Sequence, residues 1–403
     1  MNSLIIARSI GPSAYGVFSI FYAAMVIFWQ LPQAFDGYFI ASARKVDSQS
    51  GKTQLLKACV QLKLAYVLMG GALAYPVAMT VAHLVEKPAV LFPILTAFAC
   101  GAGLAFLSSI ASTYQEAERF GRYASANAFY TGPVLLGLAT LFLVNGGITL
   151  WGSIGVYVVV CTLVGALSFC SIRKRTGRMR SVDFRLVSDS FHQGKWLLLA
   201  LMASVIFGRM DLLFLTRYAD FESIGVYSVA AQLILFVDLA VGALSGICLP
   251  KAGKAVRSDS LLRIFFKENL VMIGVLLCGI AVMVLIAPIL VDLLYGVSYS
   301  TAGSILRILL CGWTFRVMFI PFSFLFVAFG DTRTRFMLEA WKSLVGLSLL
   351  YWLVPLQGLY GAAYAMSLTY TIEAATSAMV LKYKLGHGYR TIGAPRPIVE
   401  ANT

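Results

Sequence analysis

Apolar residues in this chain gather into unbroken runs of about 20, unlike the alternating or striped patterns of water-soluble folds. Eleven runs stand out, at 14–36, 57–82, 88–113, 123–145, 150–171, 193–217, 222–247, 264–290, 302–329, 335–355 and 359–381. Each is long enough to cross the roughly 30 Å hydrocarbon layer of a bilayer as a helix. Lipid offers the backbone no hydrogen-bond partner, so these runs satisfy their own amides as helices. Residues 1–10 are apolar too, but fall short of a crossing.

The runs also repeat. Displaced by 209 residues, the chain matches itself without a gap to about residue 177. Tyr15-Gly-Val-Phe-Ser19 meets Ile224-Gly-Val-Tyr-Ser228, Phe120-Gly121 meets Phe329-Gly330, and Leu150 with Gly152 meets Leu359 with Gly361. Six crossings per repeat is an even number, so both copies enter the membrane with the same polarity. That is the case of parallel repeats related by an axis along the membrane normal. The predicted fold is an all-α integral membrane protein of two tandem six-helix bundles. An N-terminal bundle covers 1–177, a basic linker 178–192, a C-terminal bundle 193–386 and a tail 387–403. Met1 pairs with Met210, inside the sixth run, which leaves 193–209 without a counterpart. The expectation is a truncated first helix, with residues 1–10 as its outer end.

Composition removes the soluble alternatives. The 403 residues are 59% hydrophobic and 12% charged, whereas soluble domains are about half apolar and a quarter charged. A formal charge of +14 would point to nucleic acid in a soluble protein, but here the cations sit in short connections between runs. Twenty-four Lys and Arg fall on one side of the predicted membrane, against Arg8, Lys87 and Arg217 on the other. Such asymmetry marks the basic side, with the C-terminus, as cytoplasmic. The seven cysteines lie in or at the ends of apolar runs with no CxxC pair, so neither a zinc site nor a disulfide framework is indicated.

Nucleotide-binding, GxSxG, HExxH and EF-hand patterns are absent. The connections opposite the basic side, such as 145–147 and 355–358, are too short to carry much catalytic machinery. No enzyme activity, metal or cofactor is predicted. The informative residues are ionisable ones inside the runs: Asp36, Arg209, Asp211, Asp238, Arg307, Arg316 and Glu373. A charge at a helix centre costs about 2.5–3.5 kcal/mol to insert, so it normally faces a partner or a wet cavity. Guanidinium groups in such a cavity suit phosphate or pyrophosphate. Arg316, Arg209 and Arg307 are therefore candidates for substrate binding. The alternative is internal ion pairing with Asp211, Asp238 or Glu373, or, for Arg307, snorkelling outward. Gln30, Gln33 and Asp36 recur at i, i+3 and i+6 around Pro32, and Glu373 shares a stripe with Thr369 and Thr376. Both polar faces are expected to line one central cavity. Asp36, Asp238 and Glu373 are candidates for coupling to protons or sodium.

Two stretches carry a resemblance. Arg8-Ser-Ile-Gly-Pro-Ser-Ala-Tyr-Gly-Val-Phe-Ser19 resembles the "ARxLGPxxYGxFS" opening of bacterial lipid-linked oligosaccharide flippases. These form the polysaccharide-transporter branch of the multidrug/oligosaccharidyl-lipid/polysaccharide exporter superfamily. Leu294-Tyr-Gly-Val-Ser-Tyr-Ser-Thr-Ala-Gly-Ser-Ile-Leu-Arg-Ile308 is similar to that family's "LFGxxYxxAxxxLxIL" segment. The resemblance implies a V-shaped transporter of twelve to fourteen helices with a cationic central cavity. Its work would be to flip undecaprenyl-pyrophosphate-linked repeat units across the inner membrane for O-antigen, capsule or exopolysaccharide assembly. Expected partners are the lipid-linked oligosaccharide, membrane lipids, and the polysaccharide polymerase and chain-length machinery, with no nucleic acid. The rivals are a cation-coupled multidrug exporter of the same fold and a membrane polymerase or ligase acting on the same lipid-linked sugars.

Overall fold

Glycines turn the apolar runs back on themselves. The computed structural model describes residues 2–43, 48–176, 199, 202–205, 207–255, 259–328 and 331–387. Its helices are α1 (Asn2–Gln30), α2 (Gln33–Ala43), α3 (Gln49–Val85), α4 (Leu91–Glu116), α5 (Phe120–Asn145), α6 (Leu150–Thr176), α7 (207–218), α8 (Phe221–Ala255), α9 (Asp259–Tyr295), α10 (Thr301–Ala328) and α11 (Thr332–His387). No strand occurs among the described residues. Both α1 and α11 consist of two arms. Gly11 (φ 78°) and Gly358 (φ 56°) adopt left-handed backbone that a residue with a Cβ rarely takes. Pro12 then opens the next arm of α1, where its missing amide is harmless. In α11 the reversal brings Lys342 of the first arm within 3.6 Å of Glu373 on the second.

Among the described residues, nine segments are long and apolar enough to cross a membrane. The expected eleven become nine for two reasons. Runs 335–355 and 359–381 join into one segment, Arg333–Gly386, folded at Gly358. Run 193–217 lies partly outside the described residues, and the predicted linker 178–192 and the tail beyond His387 lie wholly outside them. Large apolar side chains face outward: Leu143 is 81% exposed, Leu285 72% and Val297 80%. Against lipid this costs nothing, whereas in water it would drive aggregation. The chain is a multi-pass membrane protein.

Short 3-10 turns, Pro88–Val90 and Val297–Tyr299, introduce α4 and α10 at the sequence's spacing of 209 residues. Helix α4 packs on α1, α3 and α6, while α10 packs on α8, α9 and α11. The contact of α1 with α8 joins these two sets. Its closest approach is made by backbone. A Cβ on Gly16 would lie 1.9 Å from the Phe221 carbonyl oxygen, and one on Gly225 would lie 2.0 Å from that of Pro12. These four residues are paired by the 209-residue offset, Gly16 with Gly225 and Pro12 with Phe221. Each segment therefore presents to the other the surface it receives.

One continuous core fills the molecule at the sparsely charged end and midway along the helices. Near the basic end it gives way to two separate clusters. One gathers around Phe39, Leu55 and Phe106, the other around Phe265, Leu325 and Phe326. Hydrogen bonds follow the same division. Among the described residues, those joining the segment before 177 to the segment after 199 all lie toward the sparsely charged end. Lys87 donates to the Ala219 carbonyl, and Arg217 donates to that of Leu84 and meets Glu86 at 3.2 Å. Tyr299 donates to Ala7 O at 2.8 Å, and Tyr15 to Gln232 at 3.1 Å. Lys87 also sits 4.9 Å from the centre of the Phe221 ring, and its burial pushes the ammonium below its ordinary range. The two segments are latched at one end and diverge at the other.

Candidate functional site

Helices α7, α8, α10 and α11 converge on a cavity of about 270 Å³, with Gln30 reaching it from α1. Its wall carries Arg209, Asp211, Asp238, Arg316 and Lys342. Five ionisable groups round one space at mid-helix is a costly arrangement unless each is paired or meets water and ligand. Two are paired. Asp211 accepts from the Tyr227 hydroxyl at 2.7 Å and the Leu212 amide at 2.8 Å. Lys342, 3% exposed, donates to Glu339, which also receives Arg335 at 3.2 Å. The other three differ. Among the described residues, Arg209, Asp238 and Arg316 have neither a hydrogen-bond nor an ion-pair partner.

Arg316 is instead held by ring faces. Its guanidinium lies 4.4 Å from the centre of Trp313 and 4.8 Å from that of Tyr370. Cation–π contacts of this kind are worth about 0.5–2 kcal/mol each. They fix the plane of the group while leaving its five N–H donors unused. Arg209 stands where the cavity narrows toward the contact of α1 and α8. The space beyond it, between Tyr15, Tyr22, Ser228 and Gln232, is only about 20 Å³, room for one water. On the basic side, Arg316 also borders a second pocket of about 60 Å³ with Arg335, Glu339 and Glu373. The polar space thus closes toward the latched end and continues toward the basic end.

The sequence candidates separate under this geometry. Arg316, Arg209, Gln30 and Asp238 do line the cavity. Arg307 does not. It is exposed, and its Nε donates to Val284 O at 3.0 Å, with a longer contact to Leu285 O at 3.5 Å. Pro288 has no amide to give to Val284 four residues back, so Arg307 supplies the missing donor and is structural. Gln33 and Asp36 leave the cavity because the helix breaks at Leu31–Pro32, which ends the i, i+3, i+6 register with Gln30. Asp36 turns instead toward α3 and α4, where fully buried Lys63 donates to it at 2.6 Å and to Ala105 O, Ser108 and Ser109 within 2.9 Å. Ser108 and Ser112 complete the carboxylate's shell. A carboxylate so enclosed is not open to a coupling ion.

Glu373 borders the smaller pocket, 3.6 Å from Lys342, and its Oε2 has no hydrogen-bond partner. The stripe it was read on does not hold together as a cavity face. Buried Thr369 bonds Ala365 O and packs between the arms of α11 near Gly346. Lys342, Trp313 and Tyr370 are the residues that sequence reasoning missed. Lys342 is one of the twenty-four cations counted on the basic side, yet it stands seven residues inside run 335–355, and that depth is the available signal.

Comparison with known proteins adds to this picture. A family model described as polysaccharide biosynthesis protein matches residues 5–303. A putative O-antigen transporter of Shigella flexneri is 24% identical over 186 residues, 46% of this chain and 44% of that protein. The chain therefore matches less than half the length of this curated relative. Among solved structures, an inward-facing multidrug resistance MATE family transporter of the MOP superfamily superposes with a TM-score of 0.77 at 14% identity, over 96% of this chain and 93% of that one. Lipid II flippase MurJ, in an inward closed conformation, gives 0.75 at 14% identity, over 94% and 84%. At such identities the likeness is one of fold.

Proposed function

This chain belongs to the family of polysaccharide biosynthesis proteins, and on that premise we propose that it flips lipid-linked, pyrophosphate-bearing oligosaccharide units across the inner (plasma) membrane for O-antigen, capsule or exopolysaccharide assembly. The observation that carries the proposal is the pair of guanidinium groups without a partner among the described residues, Arg209 and Arg316, on the wall of a 270 Å³ cavity. An arriving phosphate finds free donors in fork geometry in a low-dielectric space and has no resident carboxylate to displace. The basic end faces the cytoplasm in this reading. The headgroup enters there, the halves rock about the α1–α8 contact, and the latch between Lys87, Arg217, Tyr299 and their partners opens to release it. A polymerase and chain-length machinery would then take up the flipped unit.

Asp238, free on the same wall, is the observation that favours a cation-coupled multidrug exporter. Against it, two free guanidinium groups beside one free carboxylate leave the wall cationic, which repels an organic cation. Asp238 and Glu373 remain as residues through which a proton or sodium gradient could act on the carrier. The test is Arg316→Ala in vesicles carrying a fluorescent polyprenyl-diphosphate oligosaccharide. Loss of a charge-assisted contact worth about 1.5–3 kcal/mol predicts a roughly ten- to hundredfold slower flip. Unchanged flipping at normal protein level removes Arg316 from the site. In cells lacking the protein, the lipid-linked unit should accumulate in the cytoplasmic leaflet; accumulation in the opposite leaflet would indicate a polymerase instead.

A further inference from the structure

The latch at the sparsely charged end is held by cations on weak partners. Lys87, in the turn between α3 and α4, reaches across to donate to the Ala219 carbonyl. Arg217, near the end of α7, reaches back to donate to the carbonyl of Leu84. Each cation thus leans on a neutral acceptor with a ring beside it. The Lys87 ammonium lies 4.9 Å from the centre of Phe221, and the Arg217 guanidinium 5.7 Å from that of Tyr218. The nearby carboxylates do little for them. Asp220 is turned to the Ser223 amide at 3.1 Å, where it caps α8. Glu86 meets Arg217 at 3.2 Å, but its side chain is 74% exposed, and a pair so screened by water is worth little. Burial holds the Lys87 ammonium below its ordinary range, and the charge of Asp220 only partly offsets it. The latch carries more positive charge than its partners answer.

Two further facts bear on what would answer it. Topology keeps cations off the translocated side of a membrane protein, and only Arg8, Lys87 and Arg217 stand on the sparsely charged side. Two of those three meet at the latch. Neutral clasps such as Tyr299 on Ala7 O, at 2.8 Å, close the same end without that cost. The second fact is position. Arg217 shares α7 with Arg209, eight residues on, about 12 Å along the axis at 1.5 Å per residue. One helix therefore carries a guanidinium at the cavity wall and another at the rim, where a released group leaves.

We propose that Lys87 and Arg217 form a release-side site for a diphosphate, and that the arriving group opens the latch by drawing both cations from the carbonyls that hold them. The inference rests on the flippase reading and deepens it, adding a step after the central cavity. Charge-assisted bonds to phosphate oxygens are roughly twice as strong as bonds to a neutral carbonyl, and Arg217 can hold two oxygens at once. The carbonyls given up lie at helix ends on the rim, and Leu84 is exposed, so water replaces the lost donors. With both cations turned to the cargo, the neutral clasps of Tyr299 and Tyr15 are left to part. An empty carrier offers no anion and stays shut at that end.

The test uses the full chain in lipid nanodiscs with Ser228→Cys as reporter. Ser228 is buried in the seam that the latch closes, and its hydroxyl has no hydrogen-bond partner among the described residues. Alkylation is read on that residue's own peptide by mass spectrometry. Inorganic pyrophosphate should speed it about tenfold over sulfate at equal ionic strength, the ratio supported by one charged bond in place of a neutral one. Lys87→Gln with Arg217→Gln keeps an amide donor for each carbonyl and removes the charge. This pair should alkylate like wild type without pyrophosphate and show no response to it. Lys87→Arg should keep the response, and so should Arg316→Ala, which removes only the cavity site. No response in wild type, a response that persists in the glutamine pair, or one that vanishes with Arg316→Ala overturns the release site. Equal acceleration by sulfate, or by phosphatidylglycerol in the discs, overturns it too. Should the glutamine pair alkylate quickly without any anion, acylation of Lys87 in Arg316→Ala decides: protection by pyrophosphate supports the site, and its absence overturns it. The vesicle assay judges the flippase reading separately, because slowed flipping by Arg316→Ala upholds that reading whether or not the release site stands.

Discussion

Lys63→Met probes whether Asp36 is a coupling carboxylate or half of a closed structural pair. The Lys63 ammonium is fully buried and reaches four acceptors, Asp36, Ala105 O, Ser108 and Ser109, between 2.6 and 2.9 Å. Methionine keeps the bulk and removes every donor, leaving Asp36, 7% exposed, with only the Ser108 and Ser112 hydroxyls. Breaking one side of a buried pair costs about 3–5 kcal/mol, or between two and four powers of ten in the folding equilibrium. Removing both charges is different. In Asp36→Leu with Lys63→Met no charge is stranded, and Ser108 and Ser112 keep their bonds to Ala105 O and Ser109 O. Most of the loss should therefore return, since apolar replacements of a buried pair are often neutral. Denaturant unfolding in mild detergent, followed by circular dichroism, measures all three proteins. A single substitution costing less than about 1 kcal/mol, or a double one as unstable as the single, would refute the reasoning. A stable double variant that flips normally excludes Asp36 from ion coupling.

Other outcomes follow from the same geometry. Arg307→Ala should leave flipping intact while costing about 1–3 kcal/mol by exposing the Val284 carbonyl beside Pro288; thermal unfolding run beside a flipping assay separates these effects. Gly16→Ala or Gly225→Ala forces a methyl group to within 2.0 Å of a carbonyl oxygen, and should cost about 1–3 kcal/mol and raise thiol-reagent access to a cysteine placed at Ser228. Asp220→Ala removes the cap of α8, whose carboxylate accepts from the Ser223 amide at 3.1 Å, for about 1 kcal/mol. The bond to Ser223 holds the Asp220 carboxyl below its ordinary range. Its contribution is therefore complete above the unfolded carboxyl pKa and is lost as pH falls through the depressed one, so the wild type and Asp220→Ala should converge in stability at acid pH.

How much of this was legible in the chain depends on what each feature needed. The crossings were, because hydropathy over 20 residues is a property of the segment itself. Places where a partner decides the outcome were not. Arg307 and Arg316 look alike in sequence, nine residues apart on one run. Only the packing of α10 on α9 shows that Arg307 faces a carbonyl freed by Pro288, while Arg316 turns to Trp313 and Tyr370. Asp36 carried the right signal, a charge within a run, and the wrong address. The i, i+3, i+6 spacing presumes one helix through Pro32, whereas the helix ends at Gln30 and restarts at Gln33, which turns the carboxylate to a different neighbour. Lys342 failed in the opposite direction, its charge counted for topology while its depth went unused.

The crossing of α1 and α8 has a mechanical consequence. Where main chain meets main chain, at Gly16 and Gly225, no interlocked side chains have to disengage, and no rotamers reset, when one helix rolls over the other. Such a bearing resists separation but yields to rotation. Resistance to that rotation therefore resides largely in the polar clasps at the rim, those of Lys87, Arg217, Tyr15 and Tyr299.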